Sequence, residues 1–156
     1  MPNRSPRVFH LVQQAHSALF RAADKLLRRT EGITAGQHGV LLVLSGDDGV
    51  PITTIADKLK MGKSSLTGLV DRMSDRGLVR RAACPTDGRV QLVTIEPAGR
   101  ELLDRRKAHV KRTNERLLAP FSSAEQETIE RFLRHVADNA SDIVEDESQE
   151  HKTLKP

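Results

Sequence analysis

The chain has 156 residues, 37% hydrophobic and 29% charged, with a formal net charge of +4 and one cysteine; this fits a single domain with long helical additions, and excludes an internal disulfide or a zinc site of Cys/His spacing. Four Phe with no Trp and no Tyr leave the core to Leu, Val, Ile and Ala, which suits helices. No apolar run approaches membrane-spanning length and the opening MPNRSPR lacks the hydrophobic stretch of a signal peptide, so a soluble, cytoplasmic protein with no membrane partner is expected.

In chain order, Val8, Leu11, Val12, Ala15, Leu19, Ala22, Ala23 and Leu26 recur at three- and four-residue steps, one face of a first helix over about residues 6–29. Thr34 can cap a second helix running to about Leu44. After a loop at 46–49, Val50-Pro51-Ile52 reads as a short extended piece, with proline confined to an edge. Thr53 is expected to cap a short helix carrying Ile55, Ala56 and Leu59, and Lys60-Met61-Gly62 is the turn. The next helix spans 63–76, with Leu66, Leu69, Val70 and Met73 on one face and Gly77 just past its end. Two β-rich runs, 78–84 and 90–95, flank Pro85-Thr86-Asp87-Gly88-Arg89, which reads as a hairpin. Pro97 opens a long charged helix to about Leu118. Ser122 or Ser123 opens a last one striped by Ile129, Phe132, Leu133, Val136, Ala140, Ile143 and Val144, and residues 146–156 read as a disordered tail. Long terminal helices with apolar stripes need cover, and a second copy of the chain is the favoured source.

Charge is unevenly placed. Residues 57–89 hold eight Lys/Arg against four Asp, whereas residues 120–156 hold nine acids against four bases. A basic segment beside an acidic one suggests a localised polyanion-binding face. Within it, the helix over 63–76 turns its apolar seam inward and leaves Lys63, Ser64, Ser65, Thr67, Gly68 and Asp71 or Arg72 outside. Hydroxyls there suit base edges or phosphates, and lysine and the helix N-terminus suit phosphate. Arg89 at the hairpin tip suits a narrow minor groove, with Asp87 holding the tip or an arginine, and Arg80 and Arg81 on the stem suit the phosphate backbone. The bland alternative is a helical hairpin with a solvated polar face. The basic β-hairpin directly after it favours DNA.

These segments (IADKL, LTGLVDRMSDRGLVRR, PTDGR and GREL) resemble the MarR type of winged helix-turn-helix transcription factor, and the resemblance spans essentially the whole chain. The resemblance implies an obligate homodimer whose first and last helices interlock and which binds pseudo-palindromic double-stranded DNA. It also implies a repressor released by a small, aromatic or anionic organic ligand lodged between the dimer helices and the winged region. Residues 63–76 become the recognition helix and Arg89 the wing arginine. Three departures stand out: Lys60 where a turn glycine is frequent, Gly62 where a serine cap is frequent, and Gly68 where an arginine often follows the threonine. The last removes a base or phosphate contact and bears on operator preference. Glu96 stands where a capping threonine is frequent.

The expected fold is thus mainly α (α+β), one domain over 1–156, with 6–46 and 97–145 as dimerisation scaffold and 50–95 as the DNA-binding winged helix-turn-helix. For the effector, His16, Phe20, His38 and His109 are the candidate lining, with Arg21, Arg28 or Arg29 able to attract an anion. The histidines lack the i, i+4 spacing of paired metal ligands, Cys84 reads as a small strand residue, and no metal or cofactor is expected. Gly62-Lys63-Ser64-Ser65 is not a phosphate-binding loop, because position 57 is Asp where that pattern needs Gly. Nor does a nucleophile–base–acid set appear, which argues against an enzyme. The rival to a DNA-binding regulator is a winged-helix module that binds protein alone.

Overall fold

The computed structural model describes residues 7–145; the tail at 146–156 and the first residue of the expected first helix lie outside them. The elements are α1 (Val8–Thr30), α2 (Ala35–Gly46), β1 (Val50–Pro51), α3 (Ile52–Leu59), α4 (Lys63–Asp75), β2 (Val79–Ala83), β3 (Gln91–Ile95), α5 (Pro97–Leu118) and α6 (Ser123–Glu145). This is the expected mainly helical order with a small antiparallel sheet, β1-β3-β2. The chain divides into two compact units, one ending at Lys107 and the other starting at Ala108.

Local chemistry explains the boundaries. Thr34 forms a reciprocal capping box: its hydroxyl accepts from the Gln37 N–H at 3.0 Å, and the Gln37 side chain accepts from the Thr34 N–H at 2.9 Å. Asp24 on α1 adds a second restraint by accepting from the Ala35 N–H at 2.8 Å. At the end of α4, Gly77 adopts φ +67°. Its N–H donates to Ser74 while Leu78 N–H donates to Met73, a Schellman closure.

Thr53 does not cap α3. The helix starts one residue before it, at Ile52, with Pro51 in the capping position and no side-chain cap. The reason is the sheet. Pairing of Val50 with Val93 and Pro51 with Leu92 holds the chain extended up to the proline, and the helix begins as soon as pairing ends. Between α3 and α4, Lys60 takes φ 52°, the left-handed region that costs a side chain roughly 1–2 kcal/mol.

The first unit has a single core. Leu41, Leu44, Ile55, Leu66, Val70, Met73 and Val93 are buried in it, and α4 contributes all four residues of its predicted seam. The start of α5 packs against this core through Gly99, where a methyl group would collide with the Leu78 carbonyl and press on Ile95 and Leu41 at 2.9 and 3.0 Å. The stripe of α1 behaves differently. Leu27, outside the stripe, is the buried residue of that helix, while Leu11, Leu19 and Phe20 are exposed.

In the second unit, Ser122 N–H and hydroxyl both donate to Glu125, which fixes the start of α6. No residue of α6 is buried, and Leu133, Ile143 and Val144 stand in the open. The helix kinks at Asn139 (φ −123°, ψ 17°). Its side-chain amide donates to the His135 carbonyl at 2.9 Å, the acceptor that a regular helix would offer to the Asn139 backbone N–H.

Candidate nucleic-acid interface

The two ends of α4 are built differently. Its first turn follows Gly62, which offers no side chain to the leading N–H groups. Lys63, Ser64 and Ser65 are exposed there, and among the described residues no hydrogen bond or ion pair engages their side chains. Exposed N–H groups at a helix start, with a lysine and two hydroxyls, make an anion-favouring surface. Thr67 is half-buried and donates its hydroxyl to the Lys63 carbonyl at 2.9 Å. That hydroxyl therefore keeps only its lone pairs for a further partner. Gly68 lies on the same surface, with Arg72 one turn on; a methyl group at Gly68 would meet the guanidinium at 3.6 Å, ordinary contact.

The C-terminal end of α4 is tied down. Arg76 donates to the Gly32 carbonyl between α1 and α2 at 2.6 Å. Asp71 pairs with Arg81 of β2, joining the helix to the wing. Arg80, the adjacent residue, pairs instead with Glu96 at 3.0 Å. Successive side chains on a strand point to opposite faces, so the two stem arginines stand on opposite faces of β2. Arg81 faces the core side, opposite buried Val93, and Arg80 the other, opposite Thr94. Strand alternation is the signal that would have separated them; the pairing with Asp71 was beyond reach, because it needs the packing of strand on helix.

At the wing tip, the Asp87 carboxylate accepts from the Arg89 N–H at 3.0 Å, and the Asp87 carbonyl accepts from the Val90 N–H at 2.9 Å. Asp87 thus orders the turn rather than pairing with an arginine side chain. Arg89 is exposed, with no ion pair among the described residues. Cys84 sits just past β2, with its N–H on the Val90 carbonyl at 2.8 Å. The Thr86 hydroxyl, then the backbone N–H groups of Thr86 and Asp87, pull its thiol below the ordinary value.

The effector candidates are distributed unevenly. His16 and Phe20 are neighbours on α1, with ring centroids 5.8 Å apart, and both are exposed. His38 on α2 is half-buried, and burial, then the Arg106 charge, lowers its pKa from the usual 6.5 against an opposing pull from Glu31. His109 belongs to the second unit and is half-buried. Of the three candidate arginines, Arg28 is paired with Asp24 at 2.6 Å, and Arg21 and Arg29 are exposed. Sequence reasoning missed Arg106, buried on α5, because a charged residue in a charged helix reads as surface.

An exposed, uncapped helix start beside an ordered basic hairpin is suited to a duplex groove and its flanking phosphates. Comparison with known proteins agrees. The sequence pattern of the MarR family matches residues 31–90. A Thauera aromatica protein named "Putative transcriptional regulatory protein for hcr operon" is 30% identical over 128 residues, 82% of this chain and 76% of its own. Among solved structures, the PcaV transcriptional regulator of Streptomyces coelicolor, in complex with its natural ligand, is 28% identical with a TM-score of 0.70, covering 88% of this chain and 94% of that one. CouR of Rhodococcus jostii RHA1, bound to p-coumaroyl-CoA, is 26% identical with a TM-score of 0.74, covering 88% and 96%. With its three-stranded sheet behind an exposed α4, the chain belongs to the MarR family of DNA-binding winged helix-turn-helix transcriptional regulators.

Proposed function

We propose that the protein is a homodimeric repressor that occupies a pseudo-palindromic operator and is released from it by a small organic ligand. The observation that carries the DNA half is the bare first turn of α4: Lys63, Ser64 and Ser65 exposed and unengaged among the described residues. In this reading Ser64, Ser65 and Thr67 meet base edges, and Gly68 lets the helix lie close to them. Thr67, its hydroxyl proton already committed to Lys63, accepts from an adenine or cytosine amino group. Lys63, Arg72, Arg80 and Arg81 answer to phosphates, Arg80 and Arg81 by exchanging Glu96 and Asp71 for them. Arg89, on a turn ordered by Asp87, enters the minor groove.

The exposed stripes of α1 and of α6 support pairing with a second copy, since apolar faces of that extent favour burial. Two recognition helices on a twofold axis read half-sites about 34 Å apart, one turn of duplex. Occupied DNA excludes polymerase, and the protein works in the cytoplasm where that DNA is. Ligands in the related PcaV and CouR structures support an aromatic or anionic effector, for which His16, Phe20 and His38 are the candidate contacts in the first unit.

The test is Arg89→Ala against an operator selected from random duplexes, at fixed salt. It weakens binding by about 1–3 kcal/mol and relaxes preference at the flanks. An unchanged affinity and preference removes the wing from the interface. Wild-type affinity falls steeply with salt; a flat dependence would point to a protein-binding module instead.

A further inference from the structure

The cations that the first unit offers to DNA fall into two groups. Lys63, Arg72 and Arg89 are exposed, and no ion pair among the described residues includes any of them. Arg80 is exposed too, yet the Glu96 carboxylate holds it at 3.0 Å. Backbone geometry sets up this pair. Arg80 lies opposite Thr94 in the register of β2 and β3. Glu96 follows Thr94 by two residues, on the same side of the sheet and diagonal to Arg80, within reach of a long side chain. The Glu96 backbone is fixed as well. Its N–H donates to the Leu78 carbonyl at 3.0 Å, one step past the end of β3, and its carbonyl accepts from the Arg100 N–H at 3.1 Å. Arg100 pairs with Asp48, so Arg80 is the ionic partner of Glu96 among the described residues. The pair of Asp71 with Arg81 differs in kind, because it ties α4 to the wing. Glu96 and Arg80 are neighbours across one ladder, and their pair can open without moving an element.

We propose that Glu96 is a positioning residue for DNA specificity: it occupies Arg80 in place of a phosphate and yields it only to a duplex on which the wing is accurately seated. The inference rests on the DNA-binding reading above and adds a residue that itself touches no DNA. Passing Arg80 from a carboxylate to a phosphate exchanges one charge-assisted hydrogen bond for another. It also leaves Glu96 bare beside a polyanion. The exchange is therefore close to balanced, and it proceeds only where other contacts already hold the wing within bonding distance of the backbone. On the operator, base contacts from α4 and the minor-groove contact of Arg89 supply that placement. Unrelated duplex is bound through its phosphates alone, and there Arg80 stays with Glu96. Glu96 thus removes one cation per protomer from the sequence-independent attraction and takes little from operator binding. Unrelated sites vastly outnumber operators in a genome, so this difference bears directly on occupancy.

The experiment measures the affinity of the full chain for its selected operator and for a random-sequence duplex across a series of salt concentrations. Glu96→Gln removes the charge and keeps the size. At low salt it is expected to tighten random-duplex binding roughly three- to tenfold, the scale of one exposed ion pair in each of two protomers. Operator binding is expected to gain less than about twofold, so the preference for operator falls. The random-duplex salt slope is expected to steepen by about 0.9 per protomer, as one more phosphate is neutralised. Glu101→Gln makes the same charge change at an exposed residue of α5 that has no ion pair among the described residues. It is expected to leave the preference unchanged. In an Arg80→Met background, Glu96→Gln is expected to leave the preference unchanged too. A Glu96→Gln protein with unaltered preference, an equal fall in Glu101→Gln, or a fall that persists without Arg80 would each overturn the proposal and leave the DNA-binding reading intact. If circular dichroism shows Glu96→Gln to be unfolded, Glu96→Thr, whose hydroxyl can cap α5, takes its place in the same comparison. A folded wild-type protein that binds neither duplex would end both readings.

Discussion

Helices α4 and α6 carry the same kind of pattern and meet opposite fates. In α4, Leu66, Leu69, Val70 and Met73 recur at helical spacing and all four are buried. In α6, Ile129, Phe132, Leu133, Val136, Ala140, Ile143 and Val144 recur just as regularly, yet no residue of the helix is buried. Periodicity states which face of a helix is apolar; it does not state what covers that face. For α4 the cover is the chain itself, through α2, α3 and the sheet. For α6, with Leu133 at 54% and Val144 at 59% exposure, the proposed cover is a second copy. The two helices should therefore respond to the same kind of damage in different observables.

Leu66→Ala tests the first side of this contrast. Leu66 is fully buried, and truncating such a leucine costs about 2–5 kcal/mol through lost transfer energy and the cavity left behind. Denaturant unfolding at fixed protein concentration should report that loss, and a change below about 1 kcal/mol would mean that α4 is not seated as described. Leu133→Asp tests the other side. A buried leucine contributes roughly 1.5–3 kcal/mol, and a twofold interface contains it twice. The dimer dissociation constant should rise at least about 100-fold, or about 2.7 kcal/mol, in sedimentation equilibrium. Dimerisation unaffected by that charge would place the interface elsewhere. Lys60→Gly is the gentlest probe and acts on neither stripe. Relieving the left-handed lysine before α4 should stabilise the first unit by up to about 1 kcal/mol, the strain relieved being partly offset by the greater freedom of an unfolded glycine. A loss of stability instead would show that the Lys60 side chain contributes more than its backbone costs.

Much of the candidate DNA face was legible because it depends on near neighbours. The turn at 60–62, the seam of α4, the stop at Gly77 and the hairpin around Asp87 and Gly88 each follow from contacts a few residues apart. Where the reading slipped, a distant partner had intervened. Thr53 lost the capping role because β3 pairs with Val50 and Pro51 and starts the helix early. Arg80 and Arg81 looked alike in sequence but took Glu96 and Asp71 as partners, on opposite faces of one strand. Leu27, which lies outside the α1 stripe, is the residue of that helix that this chain buries, a role the stripe gave no sign of.

Sequence alone determined the order of elements, the exposed polar surface of α4 and the turn that carries Arg89, since helix period, capping and turn formation are governed by local sterics and hydrogen bonds. Tertiary structure alone decided which charges are already neutralised at the wing, that Arg76 fastens α4 to the loop after α1, and that Arg106 Nε and His38 Nε2 are buried without a partner among the described residues. Those facts depend on residues dozens of positions apart being brought within bonding distance, and no periodicity or spacing along the chain encodes which of many similar charges will meet.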